Sequence, residues 1–283
     1  YPFVTALTGT AFKSSSRDMQ SLLKLLGTAP QKKMTLSEMK SQLLAPISHT
    51  MSSEQIGGLP DQFHEIEKLE VKDGDALSRV QSDLSQIKMM KHALSALARQ
   101  LKASRSGEIA AKFNILKNRL LVKIIRARVF ASNRSDKASD PISELFPRLE
   151  SVRRLLEILQ AHKGKAVVTS EFTSTLGHIK TILVQNNISC ELFDGSMSLN
   201  QREVTLNSFA SETGTRVLLL SKAAGGVGLN LRAKLMVIFD PAHSDTVDCQ
   251  VAGRIIRRGH EGPIRIVHFL TKFSYDTELW RLN

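Results

Sequence analysis

The second half of this sequence predicts an α/β fold, a parallel sheet flanked by helices. From residue 165 onward, short apolar runs at 165–170, 190–194, 216–221, 235–240 and 264–270 alternate with helix-like stretches. The runs are rich in Val, Ile and Leu and show little apolar/polar alternation, which is the pattern of strands buried on both faces. Strands that alternate with helices indicate βαβ units, and right-handed crossovers then build a doubly wound lobe.

The elements follow in order. The first half opens with one strand-like run at 3–7 and a stripe of Met19, Leu22, Leu23 and Leu26. Gly57, Gly58 and Pro60 break the chain, and the imperfect alternation at 63–71 fits a short extended crossing. Residues 84–101 and 109–129 are amphipathic, the latter with Ile115, Leu116, Leu120, Ile124 and Ile125, and a basic, Ser-rich joint at 102–106 separates them. Residues 131–141, rich in Ser, Asp, Asn and Lys, suit a linker. In the second half, Leu176, Ile179, Ile182 and Leu183 share one helical face within 173–185. Ser198 with Gln201 has capping-box spacing ahead of Val204, Leu206 and Phe209.

Composition narrows the partners. The 283 residues have room for one or two domains. Lys and Arg number 39 against 27 Asp and Glu, a net charge of +12, which favours a polyanionic partner, nucleic acid being the commonest. A soluble basic surface is the blander alternative. Two cysteines, Cys190 and Cys249, exclude a disulfide scaffold, a zinc finger and a RING module. No apolar run approaches the ~20 residues that span a bilayer, so no membrane partner is expected.

Two segments carry the chemistry. Residues 221–231 hold Gly225, Gly226 and Gly228 directly after a strand. Such a loop lets backbone approach a ligand at the sheet edge where doubly wound folds bind, and a tight strand-to-helix turn fits it as well. A dinucleotide fingerprint is ruled out, because Leu229-Asn230-Leu231 stands where a third small residue belongs. Residues 250–259 hold Gln250, Arg254 and Arg257, with the two arginines three apart on one face of a predicted helix. Two guanidinium forks on one face suit phosphate. Asp240, His243, Asp245 and Asp248 fit an acidic loop and helix cap rather than a metal set, so no metal site is expected. Trp280 fits a packing anchor.

In this order, residues 165–173, Asp194-Gly195-Ser196, Arg202, Phe209, 221–231, Asp240-Pro241 and 250–259 resemble the second RecA-like motor lobe of the Swi/Snf-type, helicase-like DNA translocases of superfamily two. Leu7-Thr8-Gly9-Thr10 and the leucines after it are similar to that family's motif III, which couples the lobes. The helical connection ending Arg126-Ala127-Arg128 is most similar to the helicase-like transcription factor and post-replication repair branch, without its RING insertion. The resemblance divides the chain into 1–139, the end of a first lobe with a helical connection and linker, and 140–283, the second lobe.

The resemblance also implies roles. Arg254 and Arg257 are the arginine fingers that reach the γ-phosphate of ATP. Gln250 sets their segment against nucleotide, and Gly225, Gly226 and Gly228 form the loop joining DNA contact to the ATP cleft. Ser170, Asp194, Gly195 and Ser221 lie near the DNA backbone. ATP with Mg²⁺ is the implied cofactor, double-stranded DNA and chromatin are the implied partners, and the nucleus is the implied location. The sequence holds no G-x-x-x-x-G-K-[ST] and no Asp-Glu pair, so the phosphate cradle and the Mg²⁺-holding acid are expected in a first lobe outside it. The family usually carries Gln where Glu171 stands, His at Ile256, Gln at His260 and aromatics at Ala242 and His243. Two functions follow: the C-terminal half of an ATP-dependent DNA translocase, or a non-catalytic DNA-binding or scaffold paralogue. An unrelated nucleotide-binding enzyme would need a phosphate loop of its own.

Overall fold

The computed structural model describes residues 59–104, 106–133, 149–224, 229–257 and 262–282. The expected strand at 3–7, Thr8 and Thr10, the stripe at 19–26, Gly225, Gly226, Gly228 and His260 lie outside the described residues.

Six strands are described: β1 (Gln62–Leu69), β2 (Ala166–Ser170), β3 (Cys190–Phe193), β4 (Val217–Ser221), β5 (Leu235–Ile238) and β6 (Ile264–Thr271). They form one sheet in the order β1-β6-β5-β2-β4-β3, with every pairing parallel. The helices are α1 (Gly74–Ser104), α2 (Gly107–Asn133), α3 (Glu150–Ala161), α4 (Thr173–Gln185), α5 (Leu199–Ala210), α6 (Asp245–Ala252) and α7 (Tyr275–Leu282).

The strands are apolar throughout because each face of the sheet has its own core. Val168, Leu219, Val237 and Phe269 point to one side and meet Leu155, Ile158 and Leu159 of α3 and Leu176 and Ile179 of α4. Their alternates Val167, Leu218, Leu220, Met236, Ile238 and Ile266 point to the other and meet Val251, Ala252 and Ile255. The Ser198 box forms as expected: its hydroxyl accepts from the Gln201 N–H, and the Gln201 side chain accepts from the Ser198 N–H.

Three findings depart from the sequence reading. β1 is a full edge strand, register-paired with β6 from Gln62↔Ile264 to Leu69↔Thr271. The sheet thus draws its outermost strand from before the 139/140 division. Its alternation is weak because most of it is exposed. Pairing with β6 defines it, together with the Glu65 carboxylate, which accepts from Arg265 at 2.8 and 2.7 Å. The helix α2 runs to Asn133, into the expected linker, because Phe130 and Ala131 are buried with Val71, Ala76 and Val80. The predicted helix over the two arginines ends early: α6 stops at Ala252 with Gly253 as its cap. Arg254 and Arg257 sit in the turn beyond, so they do not share a helical face. The turn forms because Ile255 is fully buried in the second core, and the Arg254 carbonyl accepts from Leu231 N–H at 2.9 Å.

Leu159 is fully buried in the first core. Leu159→Ala should lower unfolding free energy by about 2–5 kcal/mol, whereas Leu199→Ala, at an 84% exposed position, should change it by less than about 0.5 kcal/mol. Urea unfolding of the two variants checks this.

Candidate functional site

Parallel strands bring their C-terminal ends to one edge of the sheet, where ligands of such folds gather. Ser170 ends β2, Ser221 ends β4, Asp194 and Gly195 follow β3, and Asp240 stands just past β5. A cleft of ≈ 390 Å³ opens here, lined among others by Arg128, Glu171, Phe172, Lys222, His243 and Gln250.

Arg128 organises the wall of this cleft. It projects from α2 and is only 2% exposed. Its Nε donates to Asp276 Oδ1 of α7 at 2.5 Å. One terminal nitrogen donates to Glu171, the residue after β2, and the other to the Pro241 carbonyl after β5. The guanidinium also lies 5.1 Å from the centre of the Phe172 ring. A planar fork with five donors can serve three directions at once. Burial opposes its charge, but Asp276, Asp240 and Glu171 outweigh that and hold it firmly protonated.

A second buried cation extends the network. Lys222 Nζ is 2.6 Å from Asp248 Oδ1 and also donates to the Asp240 carbonyl. Asp248 Oδ2 accepts from the Ala242 N–H at 2.8 Å. The Asp240 carboxylate accepts from the Ser170 hydroxyl and from the Glu171 N–H. Arg128 and Lys222 therefore face four carboxylates, those of Glu171, Asp240, Asp248 and Asp276. Burial pushes Asp240 up to about 6, against the pull of Lys222 and Arg128. Burial likewise raises Asp276. Glu171 goes the other way: burial opposes its charge, but Arg128 holds its carboxyl below the usual range. Asp240 and Asp248 are thus occupied internally. Among the described residues, no group of three or more His, Cys, Asp or Glu is placed to hold a metal ion.

The structure gathers some expected site residues and separates others. Ser170 and Ser221 are buried, with hydroxyls engaged by Asp240 and by the Ala224 N–H, so neither presents itself to an external phosphate. Asp194 folds its own turn, accepting from the N–H and the hydroxyl of Ser196 at 2.8 and 2.6 Å. Arg202 clamps that turn by donating to the Asp194 and Gly195 carbonyls. Gly195 is exposed, and a Cβ there would meet nothing within 4 Å. Gln250 lines the cleft. Arg254 is half-buried and Arg257 is exposed in the turn after α6. Burial, and then the nearby charge of Arg257, lower the Arg254 pKa. The Arg254–Leu231 backbone bond ties this turn to the exit of the glycine loop.

Arg128, Lys222 and Asp276 were not singled out as site residues from the sequence. One signal was present: Arg128 interrupts the apolar run Ala127, Val129, Phe130, Ala131, and a charge on the buried face of a helix needs partners.

Comparison with known proteins agrees with this geometry. The helicase conserved C-terminal domain family matches residues 148–259. The "DNA repair protein rad5" of Neurospora crassa is 40% identical over 147 residues, 52% of this chain and 12% of that protein. The "DNA repair protein rad8" of Schizosaccharomyces pombe is 34% identical over 120 residues, 42% of this chain and 11% of that protein. The matched stretches therefore span about an eighth or less of these relatives. The crystal structure of the C-terminal part of the Fun30 ATPase domain superposes with a TM-score of 0.57 at 18% identity, covering 79% of this chain and 89% of that one.

Arg128→Met should destabilise the fold by about 3–5 kcal/mol, because it leaves buried carboxylates without their cation. Arg128→Lys should recover little, since an ammonium cannot reach three directions. Chemical denaturation measures both.

The Asp240 pKa is raised from 3.8 to about 6, so the native state binds this proton more tightly than the unfolded chain does. Its contribution to stability should fall as pH rises toward about 6. Glu171 acts in the opposite sense, and its contribution is lost only as pH falls below its ordinary 4.5. Burial lowers His268 to about 4 and acts in the opposite sense over this range, so the Asp240 contribution is read as a difference: the unfolding free energy of the natural chain relative to Asp240→Asn should decrease between pH 4.5 and neutrality.

Proposed function

We propose that this chain, in which residues 148–259 match the helicase conserved C-terminal domain family and which is similar to Rad5-type repair proteins, is the second motor lobe of a Swi/Snf-type, ATP-dependent double-stranded DNA translocase acting in DNA repair. One observation carries this reading. Arg254, half-buried, and Arg257, exposed, stand three residues apart in the turn after α6, the helix that places Gln250 in the cleft; burial, and then the charge of Arg257, lower the Arg254 pKa. Guanidinium forks suit phosphate oxygens, and a nucleotide γ-phosphate is the group that arginine fingers stabilise in phosphoryl transfer.

The residues here fit part of the implied cofactor. Arg254, Arg257 and Gln250 suit ATP phosphate, whereas the nearby carboxylates are tied to Arg128 and Lys222. The first lobe therefore holds Mg²⁺ and the phosphate cradle in this reading. DNA contact falls to the turn at Asp194 and Gly195, where open space beside Gly195 lets a phosphodiester approach. Ser170 and Ser221 act indirectly, by fixing the strand ends. Repair of DNA in chromatin places the protein in the nucleus. The second reading, a non-catalytic DNA-binding paralogue, is favoured by one feature. Glu171, where the family usually has Gln, is ion-paired to Arg128, which ties the cleft wall to the helical connection.

The test joins the chain to an intact first lobe from a relative. Arg257→Ala should lower DNA-stimulated ATP turnover by ~10³-fold or more and leave duplex affinity nearly unchanged, because a finger acts mainly in the transition state. Arg257→Lys should recover only part. Assayed alone, the chain should not turn over ATP and should bind unrelated duplexes weakly and equally, with affinity falling as salt rises. Normal turnover in both the Arg254→Ala and Arg257→Ala fusions removes the finger assignment, and a fusion inactive from the outset supports the second reading.

A further inference from the structure

The two long helices concentrate positive charge. Among their residues, α1 carries five Lys/Arg and two Asp, and α2 carries six Lys/Arg and one Glu. Both also expose large apolar side chains: Met89 is 73% exposed, Ile115 53% and Val122 47%. The inward face of α2 is already satisfied, because Leu120, Ile124 and Ala127 pack with Ile87 of α1 and with Tyr275 and Leu279 of α7. Val122 lies two residues beyond Leu120, about 200° around the helix. Ile115 and Val122 are seven apart, so a second apolar stripe runs along the outer side of α2.

On that side a groove of ≈ 450 Å³ opens between α1 and α2. Met90, which also packs against the inner cluster, and Val122 are its apolar lining, and Asn118, Arg119, Lys123 and Arg126 are its polar lining. Lys123 is neutralised by Asp83 at 2.5 Å. Among the described residues, Arg119 and Arg126 have no acidic partner, and both are exposed.

We propose that this groove docks an acidic amphipathic helix of a partner protein. An apolar side chain of that helix enters over Met90 and Val122, and its carboxylates meet Arg119 and Arg126. The two arginines are seven residues apart, about 10 Å along the axis. Carboxylates two turns apart on a helix lying along the groove match that distance, and each can accept a bidentate fork. Duplex DNA fits less well, because a phosphate backbone offers nothing apolar to cover Met90 and Val122. Residues 1–58 have the wrong charge for this role, with six Lys/Arg against three Asp/Glu.

The experiment titrates the 283-residue chain with a fluorescent helical peptide that repeats Leu at seven-residue spacing between Glu flanks. Saturable binding is expected. Val122→Ser, and separately the Arg119→Glu/Arg126→Glu pair, should each weaken it by about tenfold or more. Arg99→Glu/Lys102→Glu, at the far end of α1, should leave it unchanged. Peptides with Lys for Glu, or with Ser for Leu, should not bind. Circular dichroism confirms that the variants fold. Absence of binding, binding that survives both groove changes, or equal binding of the Ser-for-Leu peptide overturns the proposal. A duplex that displaces the peptide and loses affinity through the same substitutions also overturns it, and assigns the groove to DNA.

Discussion

A single buried guanidinium ties the second long helix, two strand ends and the last helix together at one point. Removing Arg128 from water costs several kcal/mol, and the cost is offset only when every donor finds a partner. Its partners lie on the residue after β2, the carbonyl after β5 and the start of α7. Because a planar fork tolerates little misalignment, the positions of α2, two strand ends and α7 are set together.

The same network decides which cations the cleft can offer to a ligand. Arg128 and Lys222 are committed to Glu171, Asp240, Asp248 and Asp276, leaving the wall rich in carboxylate. Positive charge stands again in the turn after α6, which carries Arg254 and Arg257. That turn lies at the same edge of the sheet as this carboxylate-rich wall. Ser170, whose hydroxyl serves Asp240, belongs to the support of that arrangement rather than to its contact surface.

The second core explains why the cationic turn stands where it does. Ile255 is drawn into the layer with Met236, Ile238 and Ile266, and this ends α6 after two turns. The chain then bonds to Leu231, beside the exit from the glycine loop. Packing of one isoleucine thus fixes the turn that carries both arginines against Leu231. The helical hairpin of α1 and α2 docks on α7 through a separate cluster, so Arg128 is the polar bridge between that hairpin and the sheet edge.

The parallel sheet was legible because strands buried on both faces must be apolar at every position. Leu218 and Leu219 show this, pointing into opposite cores. The cap at Ser198 was legible because its partner is three residues away. The extended run at 63–71 was legible, but its place as the edge strand β1 was hidden because its pairing partner lies about 200 residues distant and its own pattern is mostly exposed. The early end of α6 was hidden because burial of Ile255 outweighs the local preference to continue the helix. Most of all, Arg128 meets partners 43, 113 and 148 residues along the chain. Periodicity and spacing report what neighbours in sequence share. A buried charge is satisfied by whatever the fold brings to it, and only the tertiary structure decided that.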